Sequence, residues 1–280
     1  MCIWEVLQLS RTHSLKRLVA VIKIGGSVLT GGEAYKRAAQ FIKSRIALEE
    51  NQRVVVVVSA REGETDALEN EAKSITREPI SSAMDLLWST GEVRSTALLG
   101  LHLHALGVHA ATLNIHEAGL QSGCAGREGF LSGFDSRRLD AVLGSHKVVI
   151  VPGFFATNPE GSIVSLGRGG SDLTAVFLAE KIGACICELI KDVPGYFTCD
   201  PHLYRAAQHL PALSYQEALK FADTGCELVQ KKAIEAAAKC GLRLVVRSLD
   251  EDGAVTSIGP GKLAVSARNA TSESEVMIRE

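Results

Sequence analysis

Two short stretches of the chain bring glycines, a cation and hydroxyl groups close enough together to handle an anion. In Gly167-Arg-Gly-Gly-Ser-Asp172 the glycines permit positive φ and close backbone approach, and Arg168 offers a planar fork for a carboxylate. Ser171 and Asp172 open the helical pattern that follows, and a helix start attracts negative charge through its free N–H groups. In Val21-Ile-Lys-Ile-Gly-Gly-Ser-Val28 an apolar strand runs straight into two glycines and a serine. Backbone N–H groups of Gly25, Gly26 and Ser27 can cradle phosphate oxygens there, with Lys23 as the point charge that a polyphosphate needs. The spacings of a Walker A loop and of a G-x-G-x-x-G dinucleotide fingerprint are not met, so the site is of another kind.

Such residues need rigid elements to hold them. Apolar runs over 18–24, 53–59, 109–113, 147–151, 184–191 and 242–247 alternate with helical periodicity over 35–49, 81–106, 172–181, 214–221 and 227–240. That alternation predicts an α/β fold, a three-layer αβα sandwich around a central, mostly parallel sheet. The unbroken run Val54-Val-Val-Val-Val58 suits a central strand buried on both faces. Residues 129–131 and 161–164 predict hairpin strands at the rim, and the segment after Gly253 predicts one last strand and a tail. One domain over 21–280 is expected, with 1–20 as an N-terminal extension.

With 280 residues and 46% hydrophobic content the chain can bury a sizeable core. A formal net charge of -2 leaves no basic footprint for nucleic acid or a membrane surface. The apolar runs are too short to span a bilayer. Seven cysteines without regular spacing argue for thiols in a reducing cytoplasm, and the first twenty residues lack the pattern of a secretory leader. Cys185 and Cys187 alternate on a strand, and His102 and His104 diverge on a helix, so packing rather than metal ligation is expected of them.

Taken in order, Lys23-Ile-Gly-Gly-Ser27, Val54-Val-Val-Val-Val-Ser-Ala60, Ser89-Thr-Gly-Glu92, Gly167-Arg-Gly-Gly-Ser-Asp172 and Asp192-Val-Pro-Gly-Tyr-Phe-Thr-Cys-Asp-Pro201 resemble the catalytic domain of aspartate kinases, members of the amino acid kinase family. The resemblance runs from Val21 to Ser248 and is most specific at Gly-Arg-Gly-Gly-Ser-Asp. It implies phosphorylation of the side-chain carboxylate of aspartate by ATP with Mg2+, giving an acyl phosphate. An acceptor lobe would cover residues 21–150 and a nucleotide lobe 151–270. Lys23 would bridge the β and γ phosphates, Gly25, Gly26 and Ser27 would hydrogen-bond to them, and Asp172 would orient Lys23. Mg2+ would arrive with the nucleotide rather than in a cage of protein ligands. An aspartate acceptor carries one ammonium and two carboxylates, which Glu92, Arg168, Ser171 and Thr65 can meet, Thr65 lying in the loop after the valine-rich strand, a stretch that can equally cap the next helix. Lys191, Asp192 and Phe197 fall in the nucleotide loop. Most aspartate kinases continue into paired regulatory domains that bind amino acids, and the resemblance implies a catalytic domain without them. The apolar helix over 81–106 offers a surface for a homodimer or higher homo-oligomer.

The nucleotide half departs from the family pattern. Lys191 stands where threonine is usual, Tyr196-Phe197 inverts an aliphatic-tyrosine order, and His202 replaces an arginine. Glu227-Leu-Val-Gln-Lys-Lys232 stands where Lys-Val-Leu-His-Pro-Arg is usual. Glu227 is therefore expected at the mouth of the nucleotide pocket, opposing a polyphosphate unless Lys191, Lys231 or Lys232 supplies the charge. Two further readings stay open: a kinase of another small acid, and a weakened member that binds nucleotide or amino acid as a regulator. Steady-state kinetics test the site residues. Arg168→Ala should mainly raise the acceptor KM and Lys23→Ala mainly lower kcat, each by the equivalent of about 2 to 5 kcal/mol. Near-native kinetics in both folded variants would contradict the assignment.

Overall fold

A computed structural model of the chain describes residues 19–48, 52–125, 128–167, 169–201, 203–250 and 253–260, so Arg168 and His202 lie outside the described residues. The first half contains β1 (Val19–Ile24), α1 (Gly32–Ala47), β2 (Arg53–Val58), α2 (Glu64–Ile75), α3 (Ser81–Ala105), β3 (Ala110–Thr112), β4 (Leu120–Ala125), β5 (Glu128–Phe134) and α4 (Arg137–Ser145). The second half contains β6 (Val148–Pro152), β7 (Phe155–Thr157), β8 (Ile163–Ser165), α5 (Gly170–Lys181), β9 (Ile186–Ile190), β10 (Tyr196–Phe197), β11 (His209–Leu210), β12 (Ala212–Ser214), α6 (Tyr215–Asp223), α7 (Lys231–Cys240), β13 (Arg243–Arg247) and β14 (Val255–Gly259).

The main sheet has the order β12-β14-β13-β9-β1-β2-β6-β3, and its one antiparallel pairing is β13 with β14. Strand alternation divides its side chains between two cores. Val21, Val55, Val57, Val149 and Leu189 face a layer of α4, α5, α6 and α7. Ile22, Ile24, Val54, Val56 and Ile150 face α1 and α3. The predicted three-layer α/β sandwich is the observed one. Its valine-rich strand β2 lies inside the sheet between β1 and β6, with Val54 to Val58 fully buried.

Residues 129–131 and 161–164 fall in or beside strands of a separate four-stranded sheet, β5-β4-β7-β8. The helix read over 227–240 begins only at Lys231, a correction with a clear cause. After a turn at Gly225, φ 93°, the chain stays out of helix, bending at 228–229 and extended at Gln230, φ -64° and ψ 136°, and Val229 is fully buried in the core. Helix α2 carries almost no apolar signal, because Ala72 is the single residue it buries. No described helix is long and apolar enough to cross a membrane.

Leu99 of α3 is fully buried against the sheet. Leu99→Ala should lower the unfolding free energy by about 2 to 5 kcal/mol in a urea titration, the usual cost of the lost methylenes plus the residual cavity.

Candidate active site

Parallel strands deliver their C-terminal ends to one edge of the sheet, and the candidate site is built there. On β1 the odd positions face α5, so the alternation that buries Val21 also aims Lys23 at that helix. Beyond Ile24 the Gly25 N–H donates to the Ile190 carbonyl at 3.1 Å and a 3-10 turn follows over Gly26–Val28. A Cβ on Gly26 would stand 2.7 Å from the Ala60 carbonyl oxygen, so glycine is required where the β1 and β2 loops touch. The expected cradle is corrected at one member, since the Gly25 N–H is taken by Ile190. Gly26 and Ser27 head the open end of the turn, where N–H groups lack intrahelical partners.

Helix α5 starts after Gly169, whose φ of 77° is a left-handed conformation that suits glycine. It begins at Gly170, two residues earlier than expected, so Asp172 lies inside the first turn and not at the cap. The Asp172 carboxylate is 2% exposed and meets Lys23 Nζ at 2.8 Å and Lys191 Nζ at 2.9 Å, while the Gln230 N–H approaches it at 3.4 Å. Burial alone would raise the Asp172 carboxyl, but the two ammonium groups outweigh it and hold the group well below the usual carboxylate range. Burial lowers the Lys23 ammonium despite the attraction of Asp172, and repulsion from Lys191 adds to that lowering. Lys191 immediately follows β9 and its N–H donates to the Arg247 carbonyl at 2.8 Å.

These three charges border a cavity of about 670 Å³ that extends to α2 and α3. Thr65, Asp85, Trp88, Glu92, Ser165 and Ser171 line it as well. Asp85, Trp88 and Glu92 share one face of α3, successively three and four residues apart. Glu92 is 3% exposed; its Oε1 accepts from the Ala60 N–H at 3.3 Å, and its Oε2 has no hydrogen-bond partner. Burial pushes the Glu92 carboxyl up to about 7, against the lowering effect of the Ala60 N–H. Asp85 is also raised by burial, with Ser165 on β8 as the hydrogen-bond partner that limits the rise. Phe154 on the cavity wall has φ 70°, a conformation no other described residue except glycine adopts.

Lys23, Thr65, Glu92, Ser171, Asp172 and Lys191 are thus brought around one cavity. Gly25 adjoins it, because a Cβ there would lie 3.5 Å from Lys23 Nζ. The Ser27 hydroxyl donates to Asp192 Oδ1 at 3.0 Å. Thr65 sits in the first turn of α2 and not in a loop. Phe197, Lys231 and Lys232 do not line this cavity. Phe197 packs edge-on to His209, and Lys231 pairs with Asp223 at 2.6 Å. Glu227 does not line it either; it is exposed, four residues before α7, and accepts from the Gln230 side chain at 3.4 Å. Asp85, Trp88, Phe154, Ser165 and Gln230 were missed by sequence reasoning. Helical spacing from Glu92 would have found the first two. Among the described residues no group of three or more His, Cys, Asp or Glu side chains could hold a metal ion.

The Glu92 carboxyl provides a thermodynamic test. Its folded value of about 7 lies above the ordinary 4.5, so the stability it contributes is full below 4.5 and is lost as pH rises through about 7. Glu92→Gln removes that loss. In thermal or urea unfolding, the variant should gain on the parent by on the order of 2 kcal/mol more near pH 8 than near pH 5. An equal difference at both would show that Glu92 titrates normally.

Residues 19–248 match the model of the amino acid kinase family. The chain is 34% identical over 231 residues to the aspartokinase of Helicobacter pylori, covering 82% of this chain and 56% of that protein. It is 36% identical over 238 residues to the aspartokinase of Geobacillus stearothermophilus, covering 84% and 57%. The chain therefore spans little more than half the length of these curated relatives. The crystal structure of the aspartate kinase from Synechocystis superposes with a TM-score of 0.74 at 32% identity, over 88% of this chain and 40% of that one. The fold is shared further with the uridylate kinase of Archaeoglobus fulgidus, TM-score 0.61 at 19% identity, over 86% and 99%. By the match of residues 19–248 to the family model and by these relatives at 34 and 36% identity, the chain belongs to the amino acid kinase family.

Proposed function

We propose that the chain transfers the γ-phosphoryl group of ATP to the side-chain carboxylate of aspartate. The observation that carries this reading is the charge layout of this cavity, whose lining combines the Lys23, Asp172 and Lys191 cluster with the buried Glu92. The likeness to proteins named aspartokinase supports the choice of acceptor. An acceptor carboxylate has no proton to lose, so the step needs no general base. One carboxylate oxygen bonds to the γ-phosphorus, the bond from phosphorus to the β,γ-bridging oxygen breaks, and ADP leaves with that electron pair. Asp172, held ionised by two ammonium groups, orients them and takes no proton. Lys23 stabilises the charge on the transferring group, with the N–H groups of Gly26 and Ser27 beside it. Mg2+ carried by the nucleotide would offset phosphate charge.

Glu92, on α3, is the proposed partner of the acceptor's ammonium, which would draw the carboxyl back to its ionised form. Arg168, with Ser171 and Thr65, is the proposed clamp for the α-carboxylate. The loop carrying Lys191, Asp192 and Phe197 is the proposed nucleotide side, and the segment before 150 the acceptor side. Function as a homo-oligomer in the cytoplasm belongs to the same proposal. The exposed position of Glu227 off the cavity weakens the case for a regulator without turnover.

Trapping of the acyl phosphate as a hydroxamate tests the reaction, using purified chain, ATP, Mg2+ and a panel of amino acids. Product with aspartate is expected. Product with another acid alone would overturn the acceptor, and binding of both ligands without product would overturn the reaction.

A further inference from the structure

We infer that Lys191 is a second phosphate-binding cation, held beside Lys23 to receive the γ-phosphoryl group, an inference that rests on the reading of this cavity as a phosphoryl-transfer site. The charges around Asp172 do not balance. Asp172 is the one carboxylate within ion-pair distance of Lys23 and Lys191 among the described residues, and one ammonium group suffices to neutralise it. The second leaves excess positive charge in a largely buried place, since the Lys23 and Lys191 side chains are 7% and 11% exposed. Excess buried charge opposes folding unless something else requires it.

The neighbouring acids do not remove the excess. Glu188 points to the opposite face of the sheet, where it pairs with Arg45 and Arg247. Asp192 is exposed and accepts from the Ser27 hydroxyl. Lys191 is also held firmly from below. Its backbone N–H is bonded to Arg247, and the residue before it, Ile190, is paired with Ile24 of β1. Lys23 and Lys191 therefore rise from adjacent strands, converge on the two oxygens of one carboxylate, and both border the cavity. Of the cations considered on the nucleotide side, Lys231 is engaged by Asp223, and neither it nor Lys232 lines the cavity. An anionic group bridging Lys23 and Lys191 offsets the imbalance, and the terminal phosphoryl of a nucleoside triphosphate has the charge and the oxygens to do so.

Isothermal titration of the full chain with the Mg2+ complexes of ADP and of the non-hydrolysable triphosphate AMPPNP tests the inference without turnover. Lys191→Met leaves the Lys23–Asp172 pair intact and should stay folded by thermal unfolding; Lys191→Arg keeps the cation. In Lys191→Met the affinity for AMPPNP should fall by about ten- to a hundredfold with ADP nearly unaffected, and Lys191→Arg should retain most of the discrimination. An AMPPNP-to-ADP ratio unchanged in Lys191→Met, or an equal loss of both ligands, would overturn the role of Lys191. Binding of neither nucleotide to the parent chain would instead overturn the phosphoryl-transfer reading itself.

Discussion

The contact between the Asp172 carboxylate and the Lys23 ammonium constrains the rest of this molecule. Taking both charges out of water costs several kcal/mol per ion, and the cost is offset only if the two groups meet in good geometry. Lys23 stands near the end of a strand in the middle of the sheet, and Asp172 in the first turn of the helix packed on that strand. Their meeting fixes how far α5 slides along β1. The glycines on either side serve the same end. Gly26 admits the β2 loop, Gly169 turns the chain into α5, and Gly153 leaves room for Ser171, whose Cβ would be 2.8 Å from a Cβ at that position.

The cavity lining then combines two groups of opposite character. At the strand ends two cations share one anion, and the helix N-terminus adds further positive potential. Along α3 the carboxyls of Asp85 and Glu92 are buried without cations of their own among the described residues, and both are raised. A ligand that brings a polyphosphate to the two lysines and an ammonium to the α3 carboxyls offsets both imbalances. The sheet supports this division because alternation sends Lys23 to the α5 face while Ile22 and Ile24 pack against α1 and α3.

Much of the fold was legible because its signals are local. Valine-rich strands, a 25-residue helix and glycines after strand ends identify themselves by composition and period. Helix α2 did not, since it buries one alanine, and only the stretch around Thr65 was read, as a loop. The start of α7 was misread for the opposite reason: burial of Val229 overrides a helical pattern that begins at Glu227. At the site, Lys23, Glu92, Ser171 and Asp172 could be named from motif types. Which lysine joins them could not, because Lys191, Lys231 and Lys232 are equal in sequence and differ only in their partners. The involvement of Gln230, through a backbone N–H, has no signature in residue type at all.

We propose that phosphoryl transfer occurs between Lys23 and Lys191 over Asp172. A crystal structure of the chain with Mg2+, ADP, aluminium fluoride and aspartate tests it most directly, because the fluoride complex occupies the place of the group in flight. The account predicts that both ammonium groups lie within about 3 Å of its fluorines, as charge-assisted contacts require. It further predicts that the aspartate ammonium faces Glu92. A nucleotide whose terminal group binds away from Lys23, with the Asp172 cluster unchanged from the unliganded arrangement, would contradict the account.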